Sequence, residues 1–193
     1  MSVDYATVGH VTVDVLADGS RHPGGSAFYS ALQAARLGCR TLIVTRGVRA
    51  EIERLLAPYA DELELRVIDA ERTTTLQTLR DGEQREQRML AWAGKIASEQ
   101  AGVDAAIVHF APVARETPSS FDGRTRFLGV TPQGFVRDWP RGGGRIVPCA
   151  LERSLLPERC DAFVFSANER ESCAALLNRP HGERRDEANG ARG

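Results

Sequence analysis

Short runs of β-branched and apolar residues alternate with stretches of helical period as far as residue 177, and this alternation limits the fold more than any other feature. Tyr5–Val15, Arg40–Thr45, Leu63–Ile68, Ala105–Phe110, Phe127–Val130 and Ala162–Phe165 read as strands. Ala27, Phe28, Ala31, Leu32 and Ala35 share one helical face, with Ser26 placed to cap it and Gly38 to stop it. Glu51–Leu56, Leu151–Leu156 and Asn168–Leu177 read as further helices. Strands that alternate with helices predict a mostly parallel sheet covered on both faces, hence an α/β domain. One pair departs from this pattern. Thr73–Leu79 and Gln84–Leu90 flank Asp81-Gly82, a dipeptide that accepts the positive φ of a tight hairpin turn.

A chain of 193 residues suits one domain with a real core. The domain is expected over 1–178. Arg179–Gly193 contains no large apolar residue and is expected to be a disordered tail. A net charge of −1 gives no electrostatic case for nucleic acid. Lys95 is the only lysine among 25 basic residues. The arginine bias is ascribed to the base composition of the coding DNA, since the arginines are interleaved with acids as on a solvated surface. Cys39, Cys149, Cys160 and Cys173 have no metal-ligand spacing. With no secretory leader before the first strand, they are expected to be reduced, mostly buried thiols in a cytoplasmic protein. No apolar run is long enough to cross a membrane.

Several phosphate and nucleophile motifs are missing. Lys95 follows Gly94 but precedes Ile96, so there is no Walker A loop. No Gly-x-Gly-x-x-Gly joins a strand to a helix, and there is no Gly-x-Ser-x-Gly elbow. Arg141-Gly142-Gly143-Gly144-Arg145 reads as a turn. The four histidines have no ligand spacing.

Three features remain. In Gly9-His10-Val11-Thr12-Val13-Asp14 a carboxylate stands at a strand end, able to accept hydrogen bonds from vicinal hydroxyls. In Pro23-Gly24-Gly25-Ser26-Ala27-Phe28-Tyr29 paired glycines open a helix, so backbone amides can approach an electron-rich ligand. In Ser166-Ala167-Asn168-Glu169-Arg170-Glu171 an Asn-x-x-Glu element follows a strand, and at i, i+3 Asn168 and Glu171 would share a helical face.

In this order the three resemble the PfkB/ribokinase family of carbohydrate kinases, over roughly Val3 to Leu177. The resemblance implies a ribokinase-like three-layer α/β/α sandwich, of which this chain would hold the N-terminal two-thirds. It implies a cytoplasmic kinase, a transferase that moves the phosphoryl group of ATP, with Mg²⁺, onto a sugar or polyol. Asp14, Gly24, Gly25 and Tyr29 would lie on the substrate side, and Asn168 and Glu171 would organise phosphate and Mg²⁺. Direct metal ligands are left unassigned, and a homodimer is an allowed assembly. Tyr29 stands where ribokinase-like members often carry asparagine, so neither ribose nor any other particular sugar is assigned. The family's second signature, Asp-Thr-x-Gly-Ala-Gly-Asp, supplies the anion hole and the catalytic base and does not occur in this sequence. The expectation is therefore a fold incomplete at its C-terminus, no catalytic base, and weak or no activity. The alternative is a non-catalytic remnant that binds a small polyol or only preserves the fold. The six residues Ala17–His22 also leave little room for a lid, which is expected to be reduced.

Overall fold

The structure, a computed structural model, describes residues 3–81 and 84–177. In chain order the elements are β1 (Val3–Val8), β2 (Thr12–Val15), β3 (Arg21–Gly24), α1 (Ser26–Arg36), β4 (Thr41–Gly47), α2 (Arg49–Leu56), β5 (Glu64–Asp69), β6 (Thr75–Asp81) and β7 (Gln84–Ala91). They continue as α3 (Ser98–Ala101), β8 (Ala105–Phe110), β9 (Thr125–Val130), β10 (Arg137–Asp138), β11 (Gly144–Arg145), β12 (Val147–Pro148), β13 (Ala162–Phe163) and α4 (Ala174–Leu177).

Six strands form the main sheet in the order β13-β9-β8-β1-β4-β5, and every pairing is parallel. Period-two alternation sorts the apolar residues onto two faces. Ala6, Val8, Leu42, Val44, Val108, Phe110, Leu128 and Val130 point to one core, closed by Ile96, Val103, Phe135 and Cys173. Ile43 and Val67 point the other way and meet Ala27, Phe28 and Ala31 of α1 and Ile52 and Leu56 of α2. Phe28, Ile43 and Ile52 are at most 1% exposed; burying each such side chain is worth roughly 1.5–3 kcal/mol. On the α1 face the cover stops short of β8 and β9, where Ile107 is 37% and Phe127 43% exposed.

The predicted strand Tyr5–Val15 is in fact two strands in two sheets. The chain turns at Gly9–Val11, where Gly9 N donates to the Val44 carbonyl and Val11 N to Thr45 Oγ1. β2 then enters a second sheet of order β11-β7-β6-β2-β3, in which β2 pairs parallel with β6 and the other pairings are antiparallel. Asp81 pairs with Gln84 as the hairpin reading requires, while Gly82 lies outside the described residues. The short stretch before Gly24 does hold only one hairpin, β2–β3. The second sheet reaches five strands because β6, β7 and β11 arrive from later in the chain. The glycine run turns as expected, with Gly142, Gly143 and Gly144 all at positive φ.

Two predicted helices shrink. Arg153–Leu155 is a single 3-10 turn. Ala167–Glu169 is another, because Ser166 N donates to Glu169 Oε2 at 2.8 Å and closes a capping box one turn long. Regular helix resumes only at Ala174. The four thiols are free, but only Cys173 is buried and Cys160 is exposed, which corrects the expectation of mostly buried cysteines. The tail expected over 179–193 lies outside the described residues, and no described helix is long and apolar enough to cross a membrane.

Within the main sheet, the His109 ring bridges the Tyr5 hydroxyl at 2.7 Å and Thr131 Oγ1 at 3.1 Å. Burial pushes its pKa from 6.5 down to about 4. The unfolded chain therefore takes up this proton first. The contribution is complete above pH 6.5 and is lost as the pH falls from 6.5 toward 4. The expected loss approaches roughly 3–4 kcal/mol once the pH is below both values, at ~1.4 kcal/mol per pK unit. Urea unfolding at pH 7 and pH 4.5 should show the slope, and His109→Gln should flatten it. An unchanged slope in the variant would refute the assignment. Fully buried His10, whose pKa burial also lowers, acts in the same direction and remains in both proteins.

Candidate functional site

Reading outward from β1, the chain proceeds to β4 and β5 on one side and to β8, β9 and β13 on the other. The order therefore reverses between β1 and β8. In open α/β sheets ligands bind at the carboxyl ends of the strands beside such a reversal. Here that crevice lies between the segment Gly9–Val11 and the loop Ala111–Thr117.

Glu116 closes the floor of the crevice. It is fully buried. Its Oε1 accepts from His10 N at 2.8 Å and Val113 N at 2.9 Å, and its Oε2 from Ala114 N at 2.6 Å and Val113 N at 3.1 Å. One carboxylate thus satisfies three buried backbone donors from both sides of the crevice. Beside it His10 Nδ1 is hydrogen-bonded to Thr74 Oγ1 at 2.7 Å, which ties the first segment to the approach to β6. The ring is held neutral by burial, assisted by Arg46 and opposed by Glu116.

Above this floor stand the predicted substrate-side residues. Asp14 lies on β2, directly across from His22 of β3, and its Oδ1 accepts from Thr12 Oγ1 at 2.7 Å. The carboxylate rests on Gly24, where an added Cβ would collide with it. Gly25 has φ 96° and forms the N-terminal boundary of α1. A Cβ there would strike the His10 carbonyl, and the backbone conformation itself favours glycine. Paired glycines are thus required for two different reasons, one of which is contact with Asp14. Tyr29, one turn into α1, is 58% exposed, and its hydroxyl donates to the Pro23 carbonyl at 3.3 Å. Partial burial and the nearby Asp14 carboxylate raise its pKa. The structure therefore brings Asp14, Gly24, Gly25 and Tyr29 together.

Ser26, expected as the helix cap, makes no capping bond. Its Oγ donates to Gln133 Oε1 at 3.3 Å, in the loop after β9. Gln133 belongs in turn to a cleft of about 380 Å³ bordered by Gln87, Arg137, Ser166, Asn168 and Glu169. Arg137 donates to Gln87 Oε1 at 2.9 Å across it. A line of neighbours thus runs from Asp14 through Gly24, Gly25, Ser26 and Gln133 to Asn168. Glu171 is exposed and does not border the cleft; with a 3-10 turn in place of a helix, it shares no helical face with Asn168. Sequence reasoning singled out neither Glu116 nor the Ser26–Gln133 contact. Both depend on partners more than 100 residues away.

No protein-family model matches this chain, and no curated protein matches it in sequence. Solved structures do match its fold. A sulfate complex of a pyrophosphate-dependent kinase in the ribokinase family aligns with TM-score 0.71 at 22% identity, over 90% of this chain and 69% of that one. The complex of a pyrophosphate-dependent kinase in that family with a pyrophosphate analog and myo-inositol gives 0.69 at 22%, over 90% and 68%. A pyrophosphate-dependent myo-inositol-1 kinase converted by mutation into a myo-inositol-3 kinase gives 0.67 at 23%, over 90% and 66%. The chain spans about two thirds of the length of these proteins.

Proposed function

We propose that this chain, which has the PfkB/ribokinase-like fold, binds a sugar or polyol at Asp14, Gly24 and Gly25 and belongs to phosphoryl-transfer chemistry on a hydroxyl of that ligand. The observation that carries this reading is the seating of the Asp14 carboxylate on Gly24, next to the glycine that begins α1 at the carboxyl end of the sheet. Asp14 Oδ1 is oriented by Thr12, which leaves acceptor positions for a pair of neighbouring hydroxyls. The amides of the first turn of α1 favour the ligand's oxygens. Tyr29 borders the same place and sets its size.

The donor end would lie toward Asn168, in the cleft with Gln133 and Arg137. Arginine and amide groups suit a phosphoryl anion. ATP is the donor that the sequence resemblance implies, whereas the structural neighbours named above are pyrophosphate-dependent. Among the described residues, no three acidic, histidine or cysteine side chains converge to hold a metal. Glu169 already gives one oxygen to Ser166 N. A Mg²⁺ ion fits here only when carried on phosphate oxygens and water, with the Asn168 amide oxygen and, further out, Glu171 orienting that water. Its chemical contribution would be to neutralise the charge of the phosphoryl group.

The test is ligand-induced stabilisation. Myo-inositol, ribose and a panel of hexoses and polyols at 10 mM, a trial concentration of order 10–100 Kd for a ~0.1–1 mM ligand, should raise the melting temperature for at least one compound. Asp14→Asn should abolish that rise and leave the unliganded melting temperature within about 2 °C, since the near-isosteric amide keeps an oxygen to accept from Thr12 Oγ1 and such an exchange at a partly buried polar position is worth ~0.5 kcal/mol. If no compound stabilises the protein, or if Asp14→Asn retains the effect, the assignment of Asp14 is wrong.

A further inference from the structure

A second cavity, of about 520 Å³, opens where β7 ends. It shares no lining residue with the Asp14–Gly24–Gly25 cluster or with the cleft at Asn168. We propose that it is a binding site for a nucleoside phosphate.

One wall is aromatic. Trp92 leaves β7 with its Nε1 donating to the Ala114 carbonyl at 3.0 Å, which fixes the indole. Trp139 meets it edge-on, with centroids 6.1 Å apart and planes at 64°. Trp92 is 37% and the neighbouring Leu90 48% exposed, so an apolar surface at the opening is left uncovered by the described residues. A planar heterocycle is the kind of group that such a wall accepts.

The rest of the lining is cationic. Lys95, Arg72 and Arg141 border the cavity, and none makes an ion pair with a described residue. Arg115 stands behind them with its orientation set. Its backbone is at φ 57°, rare for a non-glycine residue. Its guanidinium donates to the Arg137 carbonyl at 2.9 Å and to Cys149 Sγ at 2.9 Å, and pairs with Glu152 at 3.1 Å. Glu152 is thereby neutralised, and Asp138 is the only other acid on the lining. Four cations against two carboxylates call for an anion. Indole beside unpaired cations calls for an aromatic ring on the same ligand. A bare polyol would leave the cations unsatisfied, and inorganic phosphate would leave the indoles unused. A volume within the usual range for small-ligand pockets, ~300–1,000 Å³, admits a mononucleotide.

The sequence provides a local reporter, because Trp92 and Trp139 are the chain's only tryptophans and both line this cavity. The 193-residue chain, excited selectively at tryptophan, is titrated with AMP, adenosine and inorganic phosphate, with calorimetry in parallel. AMP is expected to give a saturable fluorescence change and measurable heat, with adenosine at least tenfold weaker and phosphate displacing AMP only at high concentration. The double variant Lys95→Glu/Arg141→Glu alters exposed side chains and should weaken AMP at least tenfold with little change in melting temperature. Asp14→Asn should leave AMP binding intact, so failure of the polyol assignment and failure of this one give different results. Absence of saturable AMP binding by both methods, equal affinity for adenosine, a response to polyols alone, or undiminished binding in the double variant would each overturn the proposal. If the double variant is poorly folded, Lys95→Ala alone must still weaken AMP several-fold.

Discussion

Replacing Glu116 by alanine is expected to lower the unfolding free energy by about 4 kcal/mol, close to the largest effect one substitution produces. The side chain makes no contact with solvent, and three backbone amides, those of His10, Val113 and Ala114, donate to it. Removing it leaves three buried donors with no acceptor, at roughly 1–3 kcal/mol each before water enters the space vacated. Glu116→Gln retains one acceptor oxygen but sets an NH₂ against an amide N–H, so it should lose half of that amount or more. Urea unfolding checks both, with the midpoint moving and the slope unchanged. A loss below 1 kcal/mol for the alanine variant, under the ~1–3 kcal/mol expected for even one unsatisfied donor, would show that the loop re-pairs its amides elsewhere.

The second large effect concerns turnover. Supplied with Mg²⁺, with ATP or pyrophosphate as donor, and with a panel of polyols, the 193-residue chain is expected to transfer phosphate at no more than a trace rate. A polyol hydroxyl is a poor nucleophile until a positioned base takes its proton, and such help is worth about 10²–10⁴-fold. The carboxylates described near the crevice have other occupations. Glu116 is enclosed by backbone amides, Glu169 caps Ser166, and Asp14 is held by Thr12 over Gly24, on the side proposed above to bind hydroxyls. The glycine-rich segment that would form an anion hole is also missing from the 193-residue sequence. Phosphate or ADP release, measured with each donor, decides the point. Robust turnover that disappears in Asp14→Ala but persists in Glu171→Ala would reverse both the rate expectation and the division of roles.

Much of this architecture is written locally. The main-sheet strands announce themselves by their apolar, β-branched character: Thr41–Val44 is covered on both faces, and Ala106–Phe110 reads the same way although Ile107 is left 37% exposed on the α1 face. The β6–β7 hairpin follows from Asp81-Gly82 alone. What escaped was decided by distant partners. The strand reading passes through Gly9–Val11 because valine and threonine continue on either side. Only Thr45, Val44 and Glu116 make that segment a corner. Glu116 sits in Ala-Arg-Glu-Thr-Pro, which has the composition of a solvated loop, and its function as an acceptor depends on His10, 106 positions earlier. The helix expected from Asn168 has a local cause as well. Ser166-x-x-Glu169 is itself a capping-box signature, and taking it as the primary signal would have placed the turn correctly.

The corner at Gly9–Val11 also determines how the molecule can move. Three successive amides there are tied to two parts of the protein: Gly9 and Val11 to β4, through the Val44 carbonyl and Thr45 Oγ1, and His10 to Glu116. The His10 ring adds a fourth tie, to Thr74 at the root of β6. Rotating one sheet rigidly against the other would have to break these bonds together, inside a region closed to water. The junction is therefore a weld rather than a hinge. Any adjustment over a ligand must then come from within the second sheet, beyond this root, while the corner at Gly9–Val11 keeps its shape.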